Sequence, residues 1–220
     1  MISQYKQIED LFKEVNKHLT TCVNLYTIGG AVLLYHGLKP STKDIDLILI
    51  DKDELNNFHH ALSSMQFQTT LPTGPYKKLN LSKILVREDF RIDLFFQYVC
   101  KKFILSKNMQ KRAKRVQKLD HIEVYLCSNE DIFVFKTFTE RKGDLDDCIS
   151  LAKRGLRWNI ILDELKHQIQ TSGESVWITW IAERLDILEE RGINIPIMKE
   201  INKLRDNYFD NLEKNNIKNC

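Results

Sequence analysis

No apolar run in this chain approaches membrane-spanning length. Its first residues, MISQYKQIEDLFKEV, mix charged and apolar residues at helical spacing, without the unbroken apolar stretch of a signal peptide. A cytoplasmic protein with no membrane association is the expectation. Five cysteines (Cys22, Cys100, Cys127, Cys148 and Cys220) are scattered and form no CxxC pair, so reduced, mostly buried thiols are expected. The six histidines lack metal spacing; His59 and His60 are adjacent and would point to different faces of a helix. GxGxxG is absent, which disfavours a dinucleotide fold, and GxxxxGK[ST] is absent, which excludes a Walker loop. There is no internal repeat or low-complexity segment. With 43% hydrophobic and 29% charged residues over 220 positions, what remains is one sizeable folded domain, or one domain with a small appendage.

Acidic residues are also missing locally. From Lys101 to Lys118 the chain reads KKFILSKNMQKRAKRVQK, with eight basic residues and no acidic one, although the net charge is only +3. Such a segment suits phosphates or RNA; a solvated helix face balanced by acidic neighbours in space is the plainer reading.

Periodicity predicts an amphipathic helix over 2–19, with Ile8, Leu11, Phe12, Val15 and Leu19 on one face. A short strand follows at Leu25–Ile28, then Gly29-Gly30, then a helix AVLLYHGL that stops at Gly37 and Pro40. Further expectations are a strand at Asp44–Ile50, a helix over 53–65, and strands at Phe67–Thr70, Leu79–Arg87 and Arg91–Tyr98. LPTGPYK reads as a turn, 106–118 as a basic helix and His121–Leu126 as a strand. Ser128 with Asp131 reads as a helix start for EDIFVFKTFTER, which Gly143 breaks before DLDDCISLAKRG. Helical patterns then cover 158–171, 175–190 and 196–214. The strands stop near residue 126, so the chain divides into an α/β part, 1–127, and a helical part, 128–220.

The chemistry concentrates in Asp44-Ile45-Asp46. On a strand, residues i and i+2 share a face, so both carboxylates project together while Ile45 points into the core. Two anions so placed repel unless a cation sits between them, and an all-oxygen set suits magnesium. Phe90-Arg91-Ile92-Asp93-Leu94-Phe95-Phe96 is a second apolar strand with one aspartate inside it. If it pairs beside Asp44–Ile50, three carboxylates converge, and three acids can hold two metals roughly 3.5–4 Å apart for phosphoryl transfer. The alternative for Asp93 is a strand-edge acid paired with Arg91 or Arg87. Gly29-Gly30 stands where a strand gives way to a helix, a place where backbone N–H groups can meet phosphate.

Gly29-Gly30, a short helix and then Ser41-Thr42-Lys43-Asp44-Ile45-Asp46-Leu47 resemble the nucleotidyltransferase superfamily related to DNA polymerase beta. Its pattern is Gly-Gly or Gly-Ser, an interval of about a dozen residues, then acid-apolar-acid on a strand. A second stretch, Ser128 to Lys136 followed by Arg141-Lys142-Gly143-Asp144-Leu145-Asp146-Asp147, resembles the bacterial and archaeal subgroup that includes abortive-infection (toxin–antitoxin) proteins. Lys142-Gly143 departs from the Pro-Lys or Pro-Arg frequent there.

The resemblance covers roughly 20–155. It implies an α/β (α+β) fold, with a nucleotidyltransferase-type mixed sheet flanked by helices and a helical region after it. It implies Mg2+ (or Mn2+) on Asp44, Asp46 and Asp93. It also implies an NTP held by Gly29, Gly30, Thr42, Lys43, Lys136, Arg141, Asp144 and Asp147, with Asp144 and Asp147 orienting Lys136 or Arg141. For Lys136 the plain alternative is an i,i+4 pair with Glu140. The reaction implied is transfer of a nucleoside monophosphate to an acceptor hydroxyl. A tRNA 3′ end or other RNA is the acceptor that the basic segment favours, and a protein hydroxyl competes. Two rival readings are a nucleotide-binding toxin–antitoxin component acting through a partner protein, and a non-catalytic RNA-binding module.

Overall fold

The computed structural model describes residues 1–71, 81–100, 102–139 and 141–218. The expected turn LPTGPYK, with Tyr76 and Lys77, falls almost wholly outside them, as does Glu140. The chain forms two compact units, Met1–Ser128 and Asn129–Cys220.

The first unit is built from α1 (Tyr5–Asn16), β1 (Val23–Ile28), α2 (Gly29–Tyr35), β2 (Ile45–Leu49), α3 (Lys52–Ser64), β3 (Gln68–Thr70), β4 (Lys83–Arg87) and β5 (Phe90–Phe96). There follow β6 (Tyr98–Val99), β7 (Phe103–Ile104), α4 (Lys107–Arg112), β8 (Lys114–Lys118) and β9 (Ile122–Leu126). Seven strands make one mixed sheet in the order β3-β4-β5-β2-β1-β9-β8, and β6 pairs with β7 separately. Strand β1 runs antiparallel to β2 and parallel to β9, and β2 runs parallel to β5.

Alternation along the strands separates the two faces. Val23 and Leu25 of β1, Ile45, Leu47 and Leu49 of β2, Ile92 and Leu94 of β5, and Ile122 and Val124 of β9 belong to one buried cluster. That cluster includes Ile8, Leu11, Phe12 and Val15 of α1 and Leu55, Phe58, Ala61 and Leu62 of α3. Each fully buried large side chain in it contributes about 1.5–3 kcal/mol relative to exposure. Since strand side chains alternate, Asp46, Arg91 and Asp93 necessarily face the other way. Helix α3 starts where the Asp51 carboxylate accepts from the backbone N–H of Asp53 at 2.8 Å and of Glu54 at 3.0 Å, an N-cap.

The second unit holds α5 (Asn129–Thr137), α6 (Lys142–Arg154), α7 (Trp158–Ser172), α8 (Trp177–Glu190) and α9 (Met198–Lys218). Every residue of α5 from Glu130 to Thr137 is buried, the charged Glu130, Asp131 and Lys136 among them. Trp177 is buried and stands edge-on to Phe138 with ring centroids 4.9 Å apart, whereas Trp180 is exposed.

Three expectations need correction. The basic helix over 106–118 is a short helix, α4, followed by a strand, β8, whose Arg115 and Gln117 bracket a register shift against β9. Pairing with β9 overrides the helical propensity of the Lys/Arg run. Gly143 does not break a helix; it lies in the first turn of α6, and the chain leaves helix between Thr137 and Lys142. The cysteines are not mostly buried, since Cys127 and Cys148 are buried but Cys22 is exposed and Cys100 intermediate.

Candidate active site

Register brings the acids together. Ile28 at the end of β1 opposes Asp46, and Asp46 opposes Asp93 across the parallel β2–β5 pair. Asp44 stands just before β2. One carboxylate oxygen from each of Asp44, Asp46 and Asp93 lies within 4.8 Å of the others. Asp93 is wholly buried, and Asp44 and Asp46 are half-buried. Strand β5 lies inside the sheet, between β4 and β2, so Asp93 is not a strand-edge acid.

The structure places Asp93 beside both the other two acids and an arginine. It joins the acid trio, and Arg91, two residues earlier and on the same face, grips it. Arg91 Nε donates to Asp93 Oδ1 and Arg91 Nη2 to Oδ2, each at 2.7 Å. This two-pronged geometry is the strong form of a carboxylate bond. Arg87 goes elsewhere, to Glu14 at 3.0 Å. The donor set of the trio is all oxygen and partly desolvated, which fits a hard divalent cation such as Mg2+ or Mn2+.

The glycines have a steric role in this arrangement. Gly29 has φ +67°, and a Cβ built on it would stand 3.0 Å from Asp46 Cγ and closer still to its Oδ2. A Cβ on Gly30 would meet Thr42 Oγ1 at 2.5 Å and Thr42 Cβ at 3.2 Å. Helix α2 begins at Gly29 itself, so the pair is its first turn and the acid and the threonine occupy the volume that side chains would fill. Thr42 is buried; its hydroxyl donates to the Asp44 carbonyl at 3.0 Å, and its backbone exchanges bonds of 3.0 and 2.8 Å with Ile2. Lys43 is exposed.

Lys136, Arg141, Asp144 and Asp147 assemble within the second unit. Lys136 Nζ lies 2.8 Å from Asp144 Oδ1 and 2.6 Å from Asp147 Oδ2, with all three side chains buried. Arg141 forks Asp144 at 2.7 and 3.2 Å, and the Thr139 hydroxyl donates to Asp144 Oδ2. Arg184 donates to the Thr139 carbonyl at 2.5 Å. Burial works to raise the Asp144 pKa, but the Lys136 ammonium and Arg141 guanidinium outweigh it and hold the carboxyl at about 2. Burial likewise works against the Lys136 charge, and the two carboxylates still raise its pKa. Cys148, buried beside this cluster, has its thiol pushed up to about 12 by burial. The sequence flagged Lys136 and both aspartates; it did not show Thr139 or Arg184, whose bonds depend on the turn after α5.

An acid just before β2, a second within it and a third in register on β5 make the arrangement that the resemblance to nucleotidyltransferases implies. The family model described as "Nucleotidyltransferase of unknown function (DUF6036)" matches residues 4–184, and the chain belongs to that family. It is therefore a nucleotidyltransferase. No curated protein matches the sequence.

Among solved structures, ANT(2″)-Ia in complex with adenylyl-2″-tobramycin aligns at 9% identity and TM-score 0.50, over 76% of this chain and 98% of that one, a likeness of fold. A candidate nucleotidyltransferase of Thermotoga maritima aligns at 12% identity and TM-score 0.42, over 60% of this chain and 83% of its own. One from H. pylori aligns at 14% and 0.39, over 97% and 98%. No helix among the described residues is long and apolar enough to cross a membrane.

Proposed function

We propose that this nucleotidyltransferase moves a nucleoside monophosphate from an NTP to a hydroxyl of RNA and releases pyrophosphate, with Asp44, Asp46 and Asp93 holding Mg2+ or Mn2+. The observation that carries the reading is the register match of Asp46 with Asp93 beside Asp44, with the carboxylate oxygens within 4.8 Å. A divalent ion bound there would draw charge from the phosphate oxygens and from the attacking hydroxyl.

In the transfer, the acceptor oxygen bonds to the α-phosphorus, and the bond from that phosphorus to the bridging oxygen breaks. The electron pair leaves with pyrophosphate. Asp93 takes the hydroxyl proton, since each carboxylate oxygen keeps a lone pair beside its bond to Arg91. Gly29 and Gly30 leave room for Asp46 and Thr42 beside the first turn of α2, and exposed Lys43 supplies positive charge to the phosphates. Thr42, buried and bonded to the Asp44 carbonyl, braces the loop that presents Asp44. Lys136 is held ready by Asp144 and Asp147 as the cation of the second cluster.

RNA is favoured as acceptor by the surface around α4 and β8, where Lys107, Lys111 and Lys114 are exposed, while Arg115 and Lys118 are paired with Glu123. Strand β8 lies three places from β2 in the sheet, roughly 14 Å at ordinary strand spacing, a span that a few nucleotides cover. The test incubates the protein with each α-labelled NTP, Mg2+, and total RNA or total cell protein. Label entering RNA, lost in Asp44→Ala and Asp46→Ala, supports the reading. Label entering protein moves the acceptor to a protein hydroxyl, and the absence of any transfer refutes the proposal.

A further inference from the structure

Two of the three acids lie inside the sheet, and the third stands just before it. Asp46 and Asp93 oppose one another in the β2–β5 ladder, whereas Asp44 precedes the first pair of that ladder, Ile45 with Ile92. Asp44 ends the connection from α2 to β2. The start of the chain meets that connection. Ile2 and Thr42 form an isolated antiparallel bridge: the Ile2 N–H donates to the Thr42 carbonyl at 3.0 Å, and the Thr42 N–H to the Ile2 carbonyl at 2.8 Å. From Thr42 the link continues to the acid, because the Thr42 hydroxyl donates to the Asp44 carbonyl at 3.0 Å.

The segment that makes this bridge is itself anchored. Ile2 is 1% exposed and belongs to the buried cluster that holds the inner faces of α1 and α3. The Gln7 side-chain oxygen accepts from the backbone N–H of Ser3 and of Gln4, each at 3.0 Å, which ties the segment to the first turn of α1. Tyr5 stands edge-on to Tyr35, the last residue of α2, with ring centroids 4.9 Å apart. The connection is thus met at its α2 end by Tyr5 and close to Asp44 by Ile2. The two bridge bonds use backbone groups only, so they set where the loop lies without engaging the Asp44 carboxylate.

We propose that residues 2–7 are a strap that positions Asp44, with Ile2 as the positioning residue, so that the affinity of the site for a divalent cation depends on packing outside the sheet. The inference rests on the cation-binding reading of the three acids. Truncating Ile2 keeps the backbone that makes the bridge but removes the side chain that holds it in the core, so the bridge frays and Asp44 loses its fixed place. Groups that orient a metal ligand from behind typically account for roughly 10–100-fold in metal affinity or activity.

The experiment measures Mn2+ affinity per folded chain, by loss of the free-ion electron paramagnetic resonance signal, in wild type, Ile2→Ala and Leu62→Ala. Leu62 is wholly buried in the same cluster but lies on α3, so its truncation lowers stability without touching the strap. Ile2→Ala should bind Mn2+ roughly 10–100-fold more weakly and lose kcat by a similar factor. Amide hydrogen exchange in the segment 36–44 should lose its protection in the same variant. Leu62→Ala should keep the wild-type affinity and the wild-type exchange of that segment.

Wild-type Mn2+ affinity in folded Ile2→Ala, or an equal loss in Leu62→Ala, would overturn the inference and leave the catalytic reading intact. If Ile2→Ala does not fold, Thr42→Val serves instead. It keeps both bridge bonds but lacks the hydroxyl that reaches Asp44, so the same weakening is expected, and an unchanged affinity overturns the idea. Wild type that binds no Mn2+ would refute the cation site, and this inference with it.

Discussion

Replacing Lys136 by Met removes one positive charge from between two buried carboxylates while keeping most of the side-chain volume. The Asp144 and Asp147 side chains are only 6% and 9% exposed, so water cannot take over the role of the ammonium. Breaking a buried ion pair from one side costs about 3–5 kcal/mol. For a chain of this size each kcal/mol moves the melting temperature by about 2–4 °C, so Lys136→Met should melt on the order of 6–20 °C below wild type. Thermal unfolding followed by circular dichroism measures this directly.

Neutralising the acids as well, in Lys136→Met/Asp144→Asn/Asp147→Asn, should restore at least half of the loss. Removing a whole buried cluster is far less costly than stranding its charges. If Lys136→Met melts within about 1 kcal/mol of wild type while its nucleotide KM rises, the ammonium is exchanged with substrate and the argument from burial is wrong.

Gly29→Ala and Gly37→Ala form a matched pair. Both glycines have positive φ, +67° and +68°, so each substitution should cost about 1–2 kcal/mol of backbone strain. Only position 29 has Asp46 in the way, so kcat should collapse there and stay near wild type at 37; equal activity in both variants would refute the steric role of Gly29.

Asp144 has its pKa lowered from 3.8 to about 2, so its contribution is fully present above pH 3.8 and is lost as pH falls through about 2. A denaturant series across that window should show wild type losing about 2 kcal/mol more than Asp144→Asn, and parallel curves would refute the pairing. Mg2+ or Mn2+ at a hundred times its dissociation constant should stabilise wild type by about 2.7 kcal/mol and leave Asp44→Asn/Asp46→Asn unmoved in the same melting assay.

The acid pair was legible because strand alternation is a strict rule: Asp-Ile-Asp can have only one face polar. Asp93 was legible as an acid embedded in an apolar strand, but its register against Asp46 is set by pairing between strands distant in sequence, which no local pattern encodes. The Arg91–Asp93 fork follows from the same i,i+2 rule, and the sequence posed it as an alternative to a place beside the other acids, whereas Asp93 has both neighbours. The glycines were read as room for phosphate; that Asp46 and Thr42 fill the space of their missing side chains is a packing fact. Strand β8 was misread because Lys and Arg favour helix locally, and only the partner strand β9 decides otherwise.

Asp46 and Asp93 face one another across a parallel pair, and parallel strands cannot be joined by a tight turn. Between them the chain makes α3, β3 and β4. The acid cluster therefore does not exist in any local fragment of the folding chain; it appears when β2 and β5 close over that long loop, a slow event set by topology. Capture of Mn2+ during refolding would time the closing of the sheet centre, lagging the helix signal of α1 and α3.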